Sequence, residues 1–352
     1  MAKKLIARSM AHDLPVFLWG PPGIGKSDIV WQIGREQGRP VIDIRLLLMN
    51  PTDLKGIPFY NPRSGVMEWA PPTELPLDPA SDAIVLFDEL NAADRMTMGA
   101  ALQVVLNKKI GPFSLGPKVS LIAAGNRETD RAVANKLPSA LANRFQHQEL
   151  VVSTADWTAW ASVNRVSPLI VGYIDWQPGD LFQFDPNSAS RAFPTPRSWG
   201  FANRFLADPR IPDEELTELV IGCVGEAAGL QFMAYRKKSL RLPSVVDILT
   251  GRLKKLKLEH DLSIKYSLAI ALGYKLREIQ DREIEQDGDA GEGFFAASDN
   301  FFRFVMDNFE ADLTIMAVRR CLDTLDLLFL PGRIPSFDSF VDKYHHLINV
   351  KH

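Results

Sequence analysis

The stretch Gly20-Pro21-Pro22-Gly23-Ile24-Gly25-Lys26-Ser27 constrains this chain more than any other. It fits the spacing G-x-x-x-x-G-K-[ST]. Val16 to Trp19 just before it is an apolar run long enough to end a buried strand. Asp28 to Ile33 just after it reads as the first turns of a helix. Strand, glycine loop and helix form the setting that a phosphate-binding loop requires. Glycines let backbone N–H groups curl around an anion, because they tolerate positive φ and carry no side chain. The helix N-terminus adds a partial positive charge behind the phosphates. The expected binding residues are therefore Gly20, Pro21, Pro22, Gly23, Ile24, Gly25, Lys26, Ser27 and Asp28. Lys26 can reach the β- and γ-phosphates, and Ser27 can place its hydroxyl on Mg²⁺.

A second signal follows at a fitting distance. Ala83 to Phe87 is an unbroken apolar run, as expected of a buried parallel strand, and it ends in Asp88-Glu89. Carboxylates at the carboxyl end of a central strand sit where α/β sheets bind ligands. Beside a phosphate-binding loop, Asp88 is expected in the Mg²⁺ shell and Glu89 is expected to polarise a water for in-line attack. Alone, the pair would equally fit a helix N-cap followed by a first-turn acid. Val119 to Ala124 reads as another buried strand, ending in Gly125-Asn126. There an Asn can hydrogen-bond both a γ-phosphate oxygen and the attacking water, or simply occupy a turn after Gly.

The remaining chain fills in an alternating pattern. Residues 2–13 predict a short helix, Val41 to Ile44 a second strand, and Ala92 to Leu106 a helix. That helix is expected to bury Ala93, Met96, Ala100, Val104 and Leu106. Residues 57–60 and 66–69 form a hairpin-like stretch around a turn by composition, and Lys109 to Pro112 with Leu115 to Pro117 suggest a second small hairpin. Leu137 to Leu141 starts a short helix ending in Asn143-Arg144-Phe145, and Gln148 to Val152 reads as a fifth strand. Strands alternating with helices imply a parallel sheet. Beyond residue 155 the pattern turns helical, with a connector over 172–194 and an acidic, Gly-rich loop over 281–293. The C-terminus predicts amphipathic helices over 311–330 and over 337–348.

Composition closes off several classes. The formal charge of −3 gives no general attraction to nucleic acid. A basic cluster at Arg236, Lys237, Lys238, Arg241, Arg252, Lys254, Lys255 and Lys257 reads as a solvated helix face or as a docking patch for an acidic partner. No apolar run of about 18 residues exists, so no membrane span is expected. Arg8, His12 and Asp13 interrupt any apolar core of a signal peptide. Cys223 and Cys321 have neither metal nor redox spacing and read as buried free thiols in a reducing compartment. The expected location is therefore the cytoplasm.

In order, Gly20 to Ser27, Leu86-Phe-Asp-Glu-Leu-Asn91, Ala124-Gly-Asn126, Asn143-Arg-Phe145 and Thr195-Pro-Arg-Ser198 resemble an AAA+ ATPase of the MoxR-like group. The resemblance covers roughly residues 5–250. It implies an α/β fold, a parallel P-loop sheet flanked by helices, followed by an all-α lid and a helical C-terminal extension. The expected division is a nucleotide-binding domain over 1–155, a connector over 156–194, a lid over 195–280 and the extension over 281–352. By the same resemblance Lys26 and Ser27 match Walker A, Asp88 and Glu89 match Walker B, and Asn126 matches sensor 1. Arg144 matches the arginine finger that reaches a neighbouring subunit's site, and Arg197 matches the sensor 2 arginine. Residues 53–69 resemble the insert that faces the ring's pore, where Phe59 and Tyr60 would grip a partner or cover the hairpin's own base. Residues 109–118 resemble the insert before sensor 1. Such proteins use ATP and Mg²⁺, form rings, usually hexamers, and remodel or activate a protein partner, often one with a von Willebrand factor A domain. A nucleic-acid motor or a nucleotide-dependent DNA-restriction subunit is the alternative, resting on the basic cluster and the hairpins.

Overall fold

The computed structural model describes residues 1–110, 113–130, 135–239, 242–256 and 262–348. Helix α1 (Ala2–Ala11) leads into β1 (Val16–Trp19), and α2 (Lys26–Gln37) follows the glycine loop. Next come β2 (Val41–Arg45), α3 (Pro51–Lys55) and the hairpin β3 (Ile57–Asn61) with β4 (Val66–Ala70). Then β5 (Ile84–Asp88), α4 (Arg95–Asn107) and a small hairpin β6 (Lys109–Ile110) with β7 (Phe113–Ser114) precede β8 (Ser120–Gly125). Helix α5 (Ser139–Ala142) and β9 (Gln146–Glu149) complete the sheet. Its order is β2-β5-β8-β1-β9, and every pairing is parallel.

Period-two alternation splits β1, β5 and β8 between two cores. Phe17, Val85, Phe87, Leu121 and Ala123 pack on one face against Met98, Ala101, Val104 and Val105 of α4. Val16, Leu18, Ile84, Leu86, Ile122 and Ala124 pack on the other against Ile6 and Met10 of α1 and Val30 and Ile33 of α2. Both faces of β5 and β8 are thus covered, which explains their unbroken apolar runs. The parity has a consequence for chemistry. Asp88 continues the series of Ile84 and Leu86, so it emerges on the α2 side, under the glycine loop.

Three local expectations are corrected. The edge strand spans Gln146–Glu149 rather than 148–152, and Val151 is exposed. It pairs only with β1, so it can be polar, and no apolar run marks it. Helix α4 starts at Arg95 because Asp94 caps it, its side chain accepting from the Met96 and Thr97 backbone N–H groups. That register buries Met98, Ala101 and Val105 beside the expected Ala100 and Val104, and leaves Met96 and Leu106 exposed. In the second hairpin the paired residues are 109–110 and 113–114, while Gly111 and Pro112 lie outside the described residues.

The chain forms two compact units, Met1–Val152 with Phe184–Ala189, and Ser153–Gln183 with Ser190–His352. The second unit is helical. Its elements are α6 (Thr154–Val163), α7 (Pro168–Trp176), α8 (Pro196–Leu206), α9 (Asp213–Val224), α10 (Glu226–Ser239) and α11 (Val245–Leu249). They continue with α12 (Leu262–Asp287), α13 (Glu292–Asn308), α14 (Ala311–Asp323) and α15 (Pro335–Ile348). The expected connector over 172–194 begins inside α7, which Ser167 caps and Pro168 opens at its first position. The expected acidic loop is mostly helix. Glu283 in α12 accepts hydrogen bonds from Gly291 N at 2.8 Å and Phe294 N at 3.1 Å, so this acid caps the start of α13. Phe294, Phe301 and Phe302 of α13 and Phe340 of α15 are fully buried in one core with Leu268, Leu272 and Leu276 of α12.

Candidate nucleotide site

The glycine loop joins β1 to α2 and is built to leave donors unsatisfied. Gly25 is the N-cap of α2 with φ 93°, a left-handed conformation that a Cβ would strain. No side chain caps α2. The first N–H groups of a helix have no intrahelical partner, so this end suits an anion. Lys26 Nζ donates to Gly20 O at 2.7 Å, to Pro21 O at 3.0 Å and to Asn126 Oδ1 at 2.8 Å. The ammonium is therefore held over the loop rather than extended into solvent. Ser27 Oγ donates to Asp88 Oδ2 at 2.7 Å. Asp28 is exposed on the first turn of α2.

The other expected residues sit at the carboxyl ends of neighbouring strands. Trp19 of β1 pairs with Gly125 of β8, so Asn126 follows directly beside the loop. Glu89 follows β5 with φ 54° and ψ 35°, a left-handed conformation for a residue with a side chain. Such a backbone costs about 1–3 kcal/mol and is found where function holds a residue in place. Glu89 N donates to Asp88 Oδ1 at 3.0 Å, so one Asp88 oxygen faces Ser27 and the other orients the turn.

Three contributors went unassigned at the level of sequence. Asn91 is buried, and its Nδ2 donates to Asn126 O at 2.7 Å. A Cβ at Gly125 would lie 2.3 Å from Asn91 Oδ1, so only glycine admits this approach. The Asn in Leu86-Phe-Asp-Glu-Leu-Asn91 was legible as part of a motif, but its partner was not. Asp43 of β2 has a buried Oδ1 without a hydrogen-bond partner among the described residues. Its carboxyl is pushed up by burial first and by the nearby Asp88 charge second. His147 accepts from Trp19 Nε1 at 2.8 Å, beside the loop.

Hydroxyl and carboxylate oxygens are ligands Mg²⁺ takes, and it commonly uses few protein groups, filling its shell with phosphate and water. Ser27 and Asp88 fit that donor set. No group of three or more His, Cys, Asp or Glu side chains among the described residues could hold a metal by itself.

Of the two expected arginines, Arg144 belongs to the same unit as this cluster and Arg197 to the helical one. Arg144 follows α5, exposed, and its guanidinium has no partner among the described residues. Arg197 is the second residue of α8, in the helical unit. Thr195 Oγ1 accepts from Ser198 N at 3.0 Å, and Ser198 Oγ accepts from Thr195 N at 2.8 Å. Burial of Ser198 and Trp199 turns Arg197 outward, where it is exposed. In the basic cluster, Arg236 pairs with Asp213 at 2.9 Å and Arg252 with Asp247 at 2.8 Å, so two of its charges are answered locally. Arg241 and Lys257 lie outside the described residues. Cys321 is buried, its thiol pushed up to about 12 by burial, while Cys223 is only partly buried. No described helix is long and apolar enough to cross a membrane.

Comparison with known proteins agrees with this geometry. Residues 16–152 match the model of the ATPase family associated with various cellular activities (AAA). Among solved structures, the chain is similar to a protein of Cytophaga hutchinsonii described as a candidate ATPase. That match has 14% identity and a TM-score of 0.33 over 100% of this chain and 90% of the other. Likeness of that size assigns no role to any residue. No curated protein matches the chain. Residues 16–152 thus resemble an AAA-family ATPase domain, and the glycine loop, paired acids and polar strand end all lie inside the matched segment.

Proposed function

We propose that the protein is a MoxR-like AAA+ ATPase that binds ATP with Mg²⁺, assembles into a hexameric ring and remodels or activates a protein partner. The single observation that carries the catalytic part is the 2.7 Å bond from Ser27 to Asp88, because it joins the two oxygens that would share a cation. Bound ATP would supply the phosphoanhydride whose cleavage drives the cycle. The chain's own residues do the rest. The α2 N-terminus and Lys26 hold the phosphates, and Ser27 and Asp88 hold the cation. Glu89 accepts a hydrogen bond from the attacking water and orients it. Asn126 already accepts from Lys26 through Oδ1, which leaves its amide nitrogen to donate to that water or to a phosphate oxygen. Arg144, exposed and without a partner among the described residues, is suited to complete the site of a neighbouring copy, where a guanidinium stabilises developing charge by about 10³-fold or more. Arg197 acts from the helical lid, and exposed Phe59 and Tyr60 on β3 contact the partner, a protein bearing a von Willebrand factor A domain.

Subunit mixing tests the ring part. Arg144→Ala alone and Lys26→Ala alone should hydrolyse ATP poorly. Mixed assemblies should recover activity, since an intact loop then sits beside an intact Arg144. Absence of recovery in assemblies shown by mass to be mixed would reject the trans arrangement.

A further inference from the structure

Trp19 is the last residue of β1, directly before Gly20, and Arg144 lies in the turn between α5 and β9. One side chain joins these two places. Trp19 Nε1 donates to His147 Nδ1 at 2.8 Å, and His147 Nε2 bonds Ala142 O at 2.9 Å. An indole nitrogen only donates and a carbonyl oxygen only accepts. Both bonds therefore require a neutral imidazole with its proton on Nε2. Ala142 O also accepts from Phe145 N at 3.2 Å, so one carbonyl closes the turn twice, with Arg144 inside it. The ring is fixed from the side as well. His147 stacks on Trp19 at 6.0 Å between centroids and 24° between planes, and Trp19 stacks on Phe17 at 4.1 Å. Phe145 meets Phe17 edge-on at 5.3 Å. Strand register reinforces this, because Phe17 of β1 pairs with His147 of β9.

From this chain of contacts we infer that His147 is a positioning residue for Arg144. It ties the turn that presents Arg144 to the strand that carries the subunit's own nucleotide loop, so it acts on hydrolysis in the neighbouring subunit. The inference rests on the trans reading of Arg144 given above. Polar side chains on an edge strand need no internal partner, since water satisfies them. Here both ring nitrogens are instead committed to protein atoms, one toward the loop and one toward the turn. A histidine that merely pinned the edge strand would affect the subunit in which it sits, through Trp19 and the adjacent loop. A positioning residue for Arg144 affects the subunit next door.

That difference sets the experiment. His147→Phe keeps a ring in the stack and removes both hydrogen bonds. Turnover should fall about 10- to 100-fold, the scale of a misplaced transition-state group, with nucleotide affinity retained. His147→Gln, whose amide again offers one acceptor and one donor, should recover most of that loss. His147→Phe subunits are then mixed with Lys26→Ala subunits, beside the Arg144→Ala and Lys26→Ala mixture as reference. The inference predicts recovery in both mixtures, because each pairs an intact loop with a well-placed neighbouring arginine. Recovery in the reference alone overturns the inference and leaves the trans reading standing. Recovery in neither, with mixed assemblies demonstrated, overturns the trans reading and the inference with it. If His147→Phe melts well below wild type, Trp19→Phe removes the same hydrogen bond from the other end and enters the same mixture, with the same outcomes.

Discussion

The two units of this molecule put their polar groups to different uses. In the α/β unit Lys26, Ser27, Asp88, Glu89 and Asn126 gather at the carboxyl ends of β1, β5 and β8, with Lys26 bonded to Asn126 and Ser27 to Asp88. In the helical unit several polar groups bond to one another. The Tyr173 hydroxyl bonds Asp180, whose backbone oxygen accepts from Trp199 Nε1 at 2.7 Å. Ser239 bonds Ser267 at 2.9 Å. Arg320 of α14 pairs with Asp175 of α7 in a buried setting, and burial pulls its guanidinium down to about 10. Burial first, and the Asp180 bond second, push the Tyr173 phenol up. These packing groups answer one another inside the fold, although Trp157 Nε1 and Ser298 Oγ of the same unit are buried without a hydrogen-bond partner among the described residues, whereas the groups that serve chemistry gather at one edge. Substitutions at these particular groups should therefore separate, with function failing in one unit and stability in the other.

The largest effect is expected at Glu89. Glu89→Gln keeps the shape and loses the charge, so turnover should fall about 10²- to 10⁴-fold. Steady-state hydrolysis, read beside equilibrium nucleotide binding, checks this. Loss of binding instead would break the comparison, because it would make Glu89 part of the fold. Next comes Arg320→Ala, which leaves Asp175 buried without its partner. Removing one member of such a pair costs about 3–5 kcal/mol. Denaturant melts should register that loss while nucleotide affinity below the transition stays at the wild-type value. Impaired binding with unchanged stability would mean that the helical pair serves the site. The smallest effect is expected at the β3–β4 hairpin. Phe59 and Tyr60 are 44% and 62% exposed. Surface changes of this kind shift stability by less than about 0.5 kcal/mol. A double change to Ala should leave melting and basal hydrolysis intact and lose only partner-stimulated turnover. A collapse of folding would show that the two rings cover the hairpin's base.

Legibility in the sequence follows the same divide. The glycine loop and the Asp88-Glu89 strand end are readable because phosphate and cation binding demand particular residue types at fixed spacing. The unbroken runs of β5 and β8 are readable because both their faces are buried. The bounds of β9 are not, since an edge strand with one neighbour can be Gln-His-Gln-Glu and still pair, and the expected fifth strand fell two residues late. Met98 replaced Met96 in the core because a single capping residue, Asp94, set the register of α4. Asn91 and His147 act through partners 35 and 128 residues away, and no local pattern encodes such a contact. In the helical unit, outside the Thr195 to Ser198 motif, only periodicity was available. It found the helices more easily than their ends, and it read Glu283 as part of a loop when it is the cap of the next helix.

The central claim is that the loop between β1 and α2 holds a nucleotide, and Lys26 is the residue on which it turns. Its Nζ bonds two loop carbonyls and Asn126 in the structure, poised where phosphates would take over. Equilibrium titration of ATP with Mg²⁺ into the wild type and Lys26→Ala tests this directly. Affinity should fall about 100-fold, the equivalent of roughly 2.7 kcal/mol, while the melting midpoint without nucleotide stays near wild type. Wild-type affinity in a folded Lys26→Ala protein would contradict the account.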